Sequence, residues 1–311
     1  MRYFGVISLL FCIGTLSCTK VDNGELTEPH LIFRYRFDST QGRLGNDGKP
    51  APLVNGRAAL SPVINLMSTD YVELTPDATT ALGNGVILYR GAQTNEGGET
   101  AFDFAKAVTA ADREVFFAIP LKNIPAGSYE WLRMSAAYQN FRIQCHVDTT
   151  ITLVTDTTSR NLTINQDFPG TIASFIGFNT YITSFTVLRQ ALTVNANRKQ
   201  GFWVFETTIN GEGYSESYVA SGQSPESSTT VVNSIFDSSP IPVGSNVATA
   251  AFVPGKLVIT GAETENIIVE VSLSTNKSFE WQDMVENGKW DPLKGEPVVD
   301  MGIRGMIPVI Q

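Results

Sequence analysis

Apolar residues in this chain come in short runs separated by turn signals. Leu31-Ile32-Phe33-Arg34-Tyr35-Arg36-Phe37 alternates apolar and charged over its second half. That pattern predicts a strand with one buried and one wet face. Val86 to Tyr89, Val115 to Pro120, Tyr129 to Met134 and Phe141 to Val154 read as further strands. Ile124-Pro125-Ala126-Gly127-Ser128 reads as a tight turn. In the second half, Thr171 to Leu188, Gly201 to Thr208 and Ile267 to Leu273 are rich in β-branched and aromatic residues. Pro254-Gly255, between Val247 to Val253 and Lys256 to Thr260, predicts a hairpin. Gly97 to Asp112 and Ser278 to Glu286 are the helix candidates, and the polar stretch Ser215 to Ser239 reads as a loop.

Short strands with regular turn punctuation predict an all-β fold, a β-sandwich with one or two short helices. The 311 residues fit one elaborated sandwich or two in tandem, with halves at 30–155 and 156–311. Ile124-Pro-Ala-Gly-Ser128 and Ile241-Pro-Val-Gly-Ser245 share a pattern. Two domains of similar design would produce it, and so would the recurrence of Pro-Gly turns before strands. Phe279 to Gln311 is too apolar to stay in water. It is expected to pack on the β body, with the polar segment from Glu286 to Pro297 as an exposed loop.

The N-terminus changes the picture from fold to address. Arg2 precedes an apolar run from Tyr3 to Ile13, and small residues lead up to Cys18. This is a secretory signal, and the run is shorter than the about 20 residues a membrane span needs. Residues 1–17 are read as the signal peptide and 18–29 as a polar tether. Leu16-Ser17-Cys18 resembles the lipobox of bacterial lipoproteins, which implies that Cys18 is acylated and anchors the chain to a membrane. Thr15 stands where that box most often has Leu. Cleavage as an ordinary secreted protein is the alternative.

Charge and composition narrow the partners. The net charge is −9, so there is no basic field for phosphates and no nucleic-acid partner is expected. The two histidines, His30 and His146, are fewer than a zinc or copper site normally uses. No metal and no cofactor is assigned. Cys145 and His146 are adjacent, so on a strand they point to opposite faces and cannot form a nucleophile–base pair. They are read as a buried thiol and a surface or loop imidazole. The acidic turns at Asp47, Glu96, Glu99, Asp283, Glu286, Asp291 and Glu296 lack calcium-loop spacing and read as solvated turns. No catalytic motif occurs, no pair of carboxylates is selected for glycoside hydrolysis, and no catalytic residue is assigned.

Four tryptophans are the remaining candidates. Trp131 and Trp203 sit in strand-like runs and read as core. Trp281 and Trp290 sit in a polar, turn-like region, with Asp291 beside the second. An exposed ring next to a carboxylate is how sugar-binding surfaces are built, so Trp281, Trp290 and Asp291 are the candidate ligand-binding residues. The competing reading is that these rings plug the ends of the β core.

The lipobox followed by a Thr- and Asn-rich β body resembles the surface lipoproteins of Bacteroidota, among them glycan-binding accessory proteins and fimbrial subunits. A fainter likeness, at Ile124-Pro125-Ala126-Gly127-Ser128-Tyr129 and Asn276-Lys277-Ser278-Phe279-Glu280-Trp281, is to the MbnP-like periplasmic β proteins. The metal-binding histidines of that family are not here, and no copper role is carried over. Asp38-Ser39-Thr40, Asp148-Thr149-Thr150 and Asp156-Thr157-Thr158 resemble sites at which these bacteria O-glycosylate exported proteins, implying modification at Ser39, Thr149 and Thr157. The resemblance implies a lipid-anchored, non-enzymatic binding protein of the outer membrane, periplasmic or surface-facing, with a glycan or another envelope protein as partner. A fimbrial or adhesive subunit is the second reading, and a hydrolase with a site hidden from sequence is the third.

Overall fold

The computed structural model describes residues 28–44, 50–154, 157–225 and 247–311. Strands dominate from the start: β1 (His30–Asp38), β2 (Arg57–Leu60), β3 (Val63–Thr75) and β4 (Val86–Arg90). Three short strands follow, β5 (Gln93–Thr94), β6 (Ala101–Asp103) and β7 (Thr109–Ala110), then β8 (Val115–Pro120) and β9 (Gly127–Tyr129). The long strands are β10 (Trp131–Val154) and β11 (Ser159–Phe175). After them come β12 (Asn179–Thr186), β13 (Ala191–Lys199), β14 (Phe202–Gly211) and β15 (Tyr214–Gln223). The last six are β16 (Ala248–Ala251), β17 (Leu257–Ile259), β18 (Ile267–Ser274), β19 (Phe279–Gln282), β20 (Val298–Asp300) and β21 (Met306–Ile310).

The fold is all-β and sandwich-like. Its centre is a large sheet with the path β15-β14-β11-β10-β3-β4. A second sheet, β21-β18-β1-β8, packs on it through Leu31, Phe33, Tyr35, Val269, Val271 and Leu273, all fully buried. The Tyr35 hydroxyl reaches across the layers to Thr69 Oγ1 on β3 at 2.7 Å. A third sheet, β13-β12-β6-β5, meets the large sheet around Tyr138, Phe175, Ile182, Phe185 and Val204. Strand β14 therefore has two buried faces. Trp203, Phe205 and Ile209 enter the first core, while Phe202 and Val204 meet the second. That explains why its sequence is a continuous apolar run without alternation.

Several expectations are corrected. The division at 155 and 156 falls inside one hairpin, because β10 and β11 pair continuously from Tyr138↔Phe175 to Val154↔Ser159. β1 lies parallel to β18, so both halves share sheets and core. Gly97 to Asp112 holds β6, a 3-10 turn at Phe104–Lys106 and β7, with no α-helix. Ser278 to Glu286 contains β19 instead of helical turns. Phe279, Glu280 and Trp281 are all buried there, and β19 pairs with both β2 and β20. A solvent-facing helix would leave Glu280 without its arginines. Pro254-Gly255 does not close a hairpin, since β16 pairs with β10 and β17 with β9. Much of the expected 215–239 loop is β15, and the segment Ile241 to Ser245 lies outside the described residues. Among the described residues no helix is long and apolar enough to cross a membrane.

The C-terminal region does pack on the body. Phe279, Trp281, Trp290, Met301, Ile303 and Met306 are at most 2% exposed. Beneath them lies a buried ionic cluster. Glu280 accepts from Arg43 Nη2 and Arg304 Nη2 at 2.6 Å each and from Arg57 Nη1 at 3.2 Å. Arg304 Nη2 also lies 3.0 Å from Asp300 Oδ2. Burial pushes the Glu280 carboxyl up, but Arg304 and Arg43 outweigh it and hold it below the ordinary glutamate range. The cluster ties residues 43, 57, 280 and 304 together across the chain.

Candidate functional site

In the segment from Asp283 to Pro297, Met284 to Lys289, Lys294, Gly295 and Pro297 are exposed, as the expected exposed loop from Glu286 to Pro297 requires, but Trp290, Asp291 and Glu296 are buried. Asp283 accepts from the main-chain N–H groups of Asn287 at 3.2 Å and Gly288 at 2.7 Å, which closes a turn. Trp290 then points into the core and is 1% exposed. Its Nε1 donates to the Glu296 main-chain oxygen at 3.2 Å. Its ring stands edge-on to Phe205 at 4.9 Å and to Phe279 at 5.1 Å between centroids. The N–H of His146 on β10 donates to the Trp290 carbonyl at 2.7 Å, fixing the segment to the large sheet.

Trp281, Trp290 and Asp291 therefore do not form the exposed platform expected of them. Trp281 is 1% exposed in the middle strand of its sheet, and Asp291 is 1% exposed. Asp291 Oδ1 accepts from Leu293 N at 2.9 Å and Lys294 N at 3.3 Å, so its carboxylate caps a 3-10 turn at Pro292–Lys294. Glu296 Oε1 accepts from Met284 N and Val285 N, and its Oε2 accepts from Asp291 N at 2.8 Å. Asp291 and Glu296 turn inward and serve as acceptors for main-chain N–H groups of this segment. Glu73 and Glu206 play the same part elsewhere, accepting from Gly83 and Gly85, and from Leu188, Arg189 and Gln190.

A different tryptophan borders open space. Between the edge strand β15 and the segment from Pro292 to Val298 lies a cleft of about 320 Å³. One wall is Ala220, Ser221, Gly222 and Gln223, and the other is Pro292 with Gly295 to Val298. Trp203 and Trp290 form the aromatic part of the lining. Trp203 pairs with Gly222 across β14 and β15, and the indole lies over the glycine. The missing side chain at 222 leaves the space that the Trp203 indole fills. Trp203 is 8% exposed, and its Nε1, like those of Trp131 and Trp281, is buried with no hydrogen-bond partner among the described residues. Among the described residues the lining contains one carboxylate, Glu296, and no lysine, arginine or histidine. No family model matches this chain, and no curated protein or solved structure is similar to it.

The remaining candidates fall into place around this site. Cys145 faces the first core and is 1% exposed. Burial pushes its thiol up to about 12, which keeps it protonated and unreactive. His146 lies within β10 on the opposite face and is 9% exposed, not on a surface loop. Its Nδ1 lies 2.6 Å from Asp167 Oδ1, and Lys289 Nζ approaches the same oxygen at 3.0 Å. His146 and then Lys289 hold the Asp167 carboxyl below its usual range. Among the described residues no group of three or more His, Cys, Asp or Glu side chains is placed to hold a metal ion. Cys18 and Asp47 lie outside the described residues. Of the three glycosylation candidates, Ser39 and Thr157 are exposed and Thr149 is half-buried on β10.

Sequence reasoning read Trp203 as core, which accounts for most of the ring but not for its edge on the cleft. It placed Ala220 and Gly222 in a loop. The available signal was weak: Tyr214, Tyr218 and Ala220 share one face of the strand, but Glu216 interrupts that face and Val219 lies on the other.

Proposed function

We propose that the protein is a lipid-anchored, non-enzymatic binding protein of the cell envelope, and that its ligand is a glycan bound in the cleft beside Trp203. The observation that carries the binding reading is the open cleft between β15 and Pro292–Val298, with Trp203 and Trp290 in its lining. Aromatic surface with a few convergent polar groups is the usual make-up of a small-molecule site, and about 320 Å³ lies at the lower end of such sites. The anchor rests on the signal run and Leu16-Ser17-Cys18, in the manner of Bacteroidota surface lipoproteins. The adhesive-subunit reading has less support. It calls for a terminal strand free to exchange, whereas β21 pairs with β18 on one side and Val309 bridges to Val253 on the other.

The test is a glycan array probed with the protein and with Ala220→Leu, which adds a side chain into the cleft. Binding by the parent protein and its loss in the variant, at an unchanged melting temperature, supports the reading. Array binding that survives Ala220→Leu places the ligand elsewhere.

A further inference from the structure

We infer that two copies of the protein pair antiparallel along the open edge of β10, from Asp148 to Val154, with Ile151 facing the second copy's Ile151 on a two-fold axis. This goes beyond the glycan reading and does not depend on it.

Strand β10 outruns the sheet that holds it. β3 pairs with it only as far as Arg142↔Val63, and β14 pairs with β11 only as far as Gly170↔Thr207. From Ile143 to Val154, β10 continues with β11 as a two-stranded ribbon. The two strands of this ribbon are held differently. The β14–β15 turn is tied to β11, with Gln166 Nε2 donating to the Asn210 carbonyl at 3.2 Å and Arg160 Nη2 to the Glu212 carbonyl at 2.8 Å. On the outer edge of β10 past Arg142, the main-chain bond among the described residues is the one from His146 N to the Trp290 carbonyl.

The direction of the main-chain groups follows from two bonds. Alternate residues of an antiparallel strand turn these groups to the same side. The Ala137 carbonyl accepts from Ile176 N at 2.9 Å, on the β11 side, and the His146 N–H points the other way, to Trp290. The pairing of β10 with β11 has no register shift from Tyr138 to Val154. Odd-numbered residues therefore bond to β11, and Asp148, Thr150, Thr152 and Val154 turn their main-chain groups to the open edge. Thr150, Thr152 and Val154 are exposed. A regular edge of this kind is a template for another strand. Other edges are blunted, since β21 carries Pro308 and β13 ends in Arg198 and Lys199.

The sequence of the edge decides its occupant. Thr149-Thr150-Ile151-Thr152-Leu153-Val154 has no charge, proline or glycine, and every residue but Leu153 is β-branched. Runs of that composition pair with copies of themselves. Pairing about Ile151 sets Thr150 opposite Thr152, Thr149 opposite Leu153 and Asp148 opposite Val154, so no like charges meet. It also matches outward-turned residues with outward-turned ones, as the hydrogen-bond ladder requires. Asp148, the charge at the end of the run, is already paired with Lys294 at 3.3 Å. A two-fold contact uses the same patch on both copies and closes at the dimer.

The first experiment oxidises cells producing the full-length protein with Ile151→Cys or Leu153→Cys, using copper phenanthroline, and reads covalent dimer on a non-reducing gel. In this pairing the two 151 positions lie about 4.5 Å apart between Cα atoms, within reach of a disulfide. The two 153 positions are about 14 Å apart, beyond it. The expected result is at least about tenfold more dimer from Ile151→Cys. Equal yields, or no dimer from a folded Ile151→Cys, overturn the pairing. The second experiment is sedimentation equilibrium of the detergent-solubilised parent protein and of Thr152→Pro, which removes an N–H on the open edge and no bond to β11. A reversible dimer for the parent and a monomer for the folded variant are expected. A strictly monomeric parent protein overturns the proposal whether or not any variant folds, and so does an undiminished dimer in folded Thr152→Pro. None of these outcomes bears on the glycan array.

Discussion

Trp203 and Gly222 occupy directly opposed positions on β14 and β15, and the indole fills the space that a side chain at 222 would need. A Cβ there would lie 2.7 Å from Trp203 Cε2 and 3.1 Å from its Nε1. Gly222→Ala must therefore move the ring or the edge strand. Overpacking of this kind destabilises by about 1–3 kcal/mol. Urea denaturation is expected to show a lowered midpoint with the same slope. An unchanged midpoint would mean that the ring is free to move.

Trp290 is a second case in which position in the fold decides the role. Its ring is held among Phe205, Phe279 and Trp203, and its N–H is bonded within its own loop. Trp290→Ala is expected to cost about 3–5 kcal/mol. A surface tryptophan would cost well under about 1 kcal/mol. Thermal unfolding of the variant distinguishes the two.

The sequence revealed the strands whose burial is simple. β1, β8 and β18 are legible because an unbroken or alternating run of Phe, Ile, Val and Leu suffices to define them. β3 was not legible. Its Ser68, Thr69, Glu73 and Thr75 are buried, and their partners come from residues distant in sequence, such as Tyr35 for Thr69 and Arg133 for Glu73. β13 and β15 were missed because they are edge strands with one solvated face and short polar side chains, which in sequence look like loops. The same blindness misplaced Trp290: Asp291 and Glu296 made its surroundings look wet, but both turn inward to accept main-chain N–H groups. Of the candidate site, Trp203 was legible only as a core ring. The cleft was not, because it is made by residues 203, 220–223 and 292–298 meeting across layers.

The ionic cluster gives a pH signature. Burial pushes the Asp300 carboxyl up from 3.8 to about 7 against the pull of Arg304. Between those values the folded protein keeps a proton that the unfolded chain has already lost. Stability attributable to Asp300 is thus present below pH 4 and falls as pH rises towards about 7. Asp300→Asn removes this contribution. Melting temperatures from pH 5 to pH 7 should decline less steeply, or rise more, in the variant than in the parent protein. Parallel curves would show that Asp300 ionises normally in the fold.

The anchor makes a separate prediction. Growth with an azido fatty acid should label the expressed protein, and Cys18→Ser should abolish the label. Cys145 is buried and offers no exposed thiol of its own. Labelling that persists in Cys18→Ser, or is absent from both, contradicts the lipoprotein reading.

The central claim is that the cleft between β15 and Pro292–Val298 is the ligand site. A crystal structure of the protein with a bound oligosaccharide tests it most directly. The account predicts a sugar ring between Ala220–Gln223 and Pro292–Val298. A sugar seated elsewhere on the surface, with the cleft empty, would contradict it.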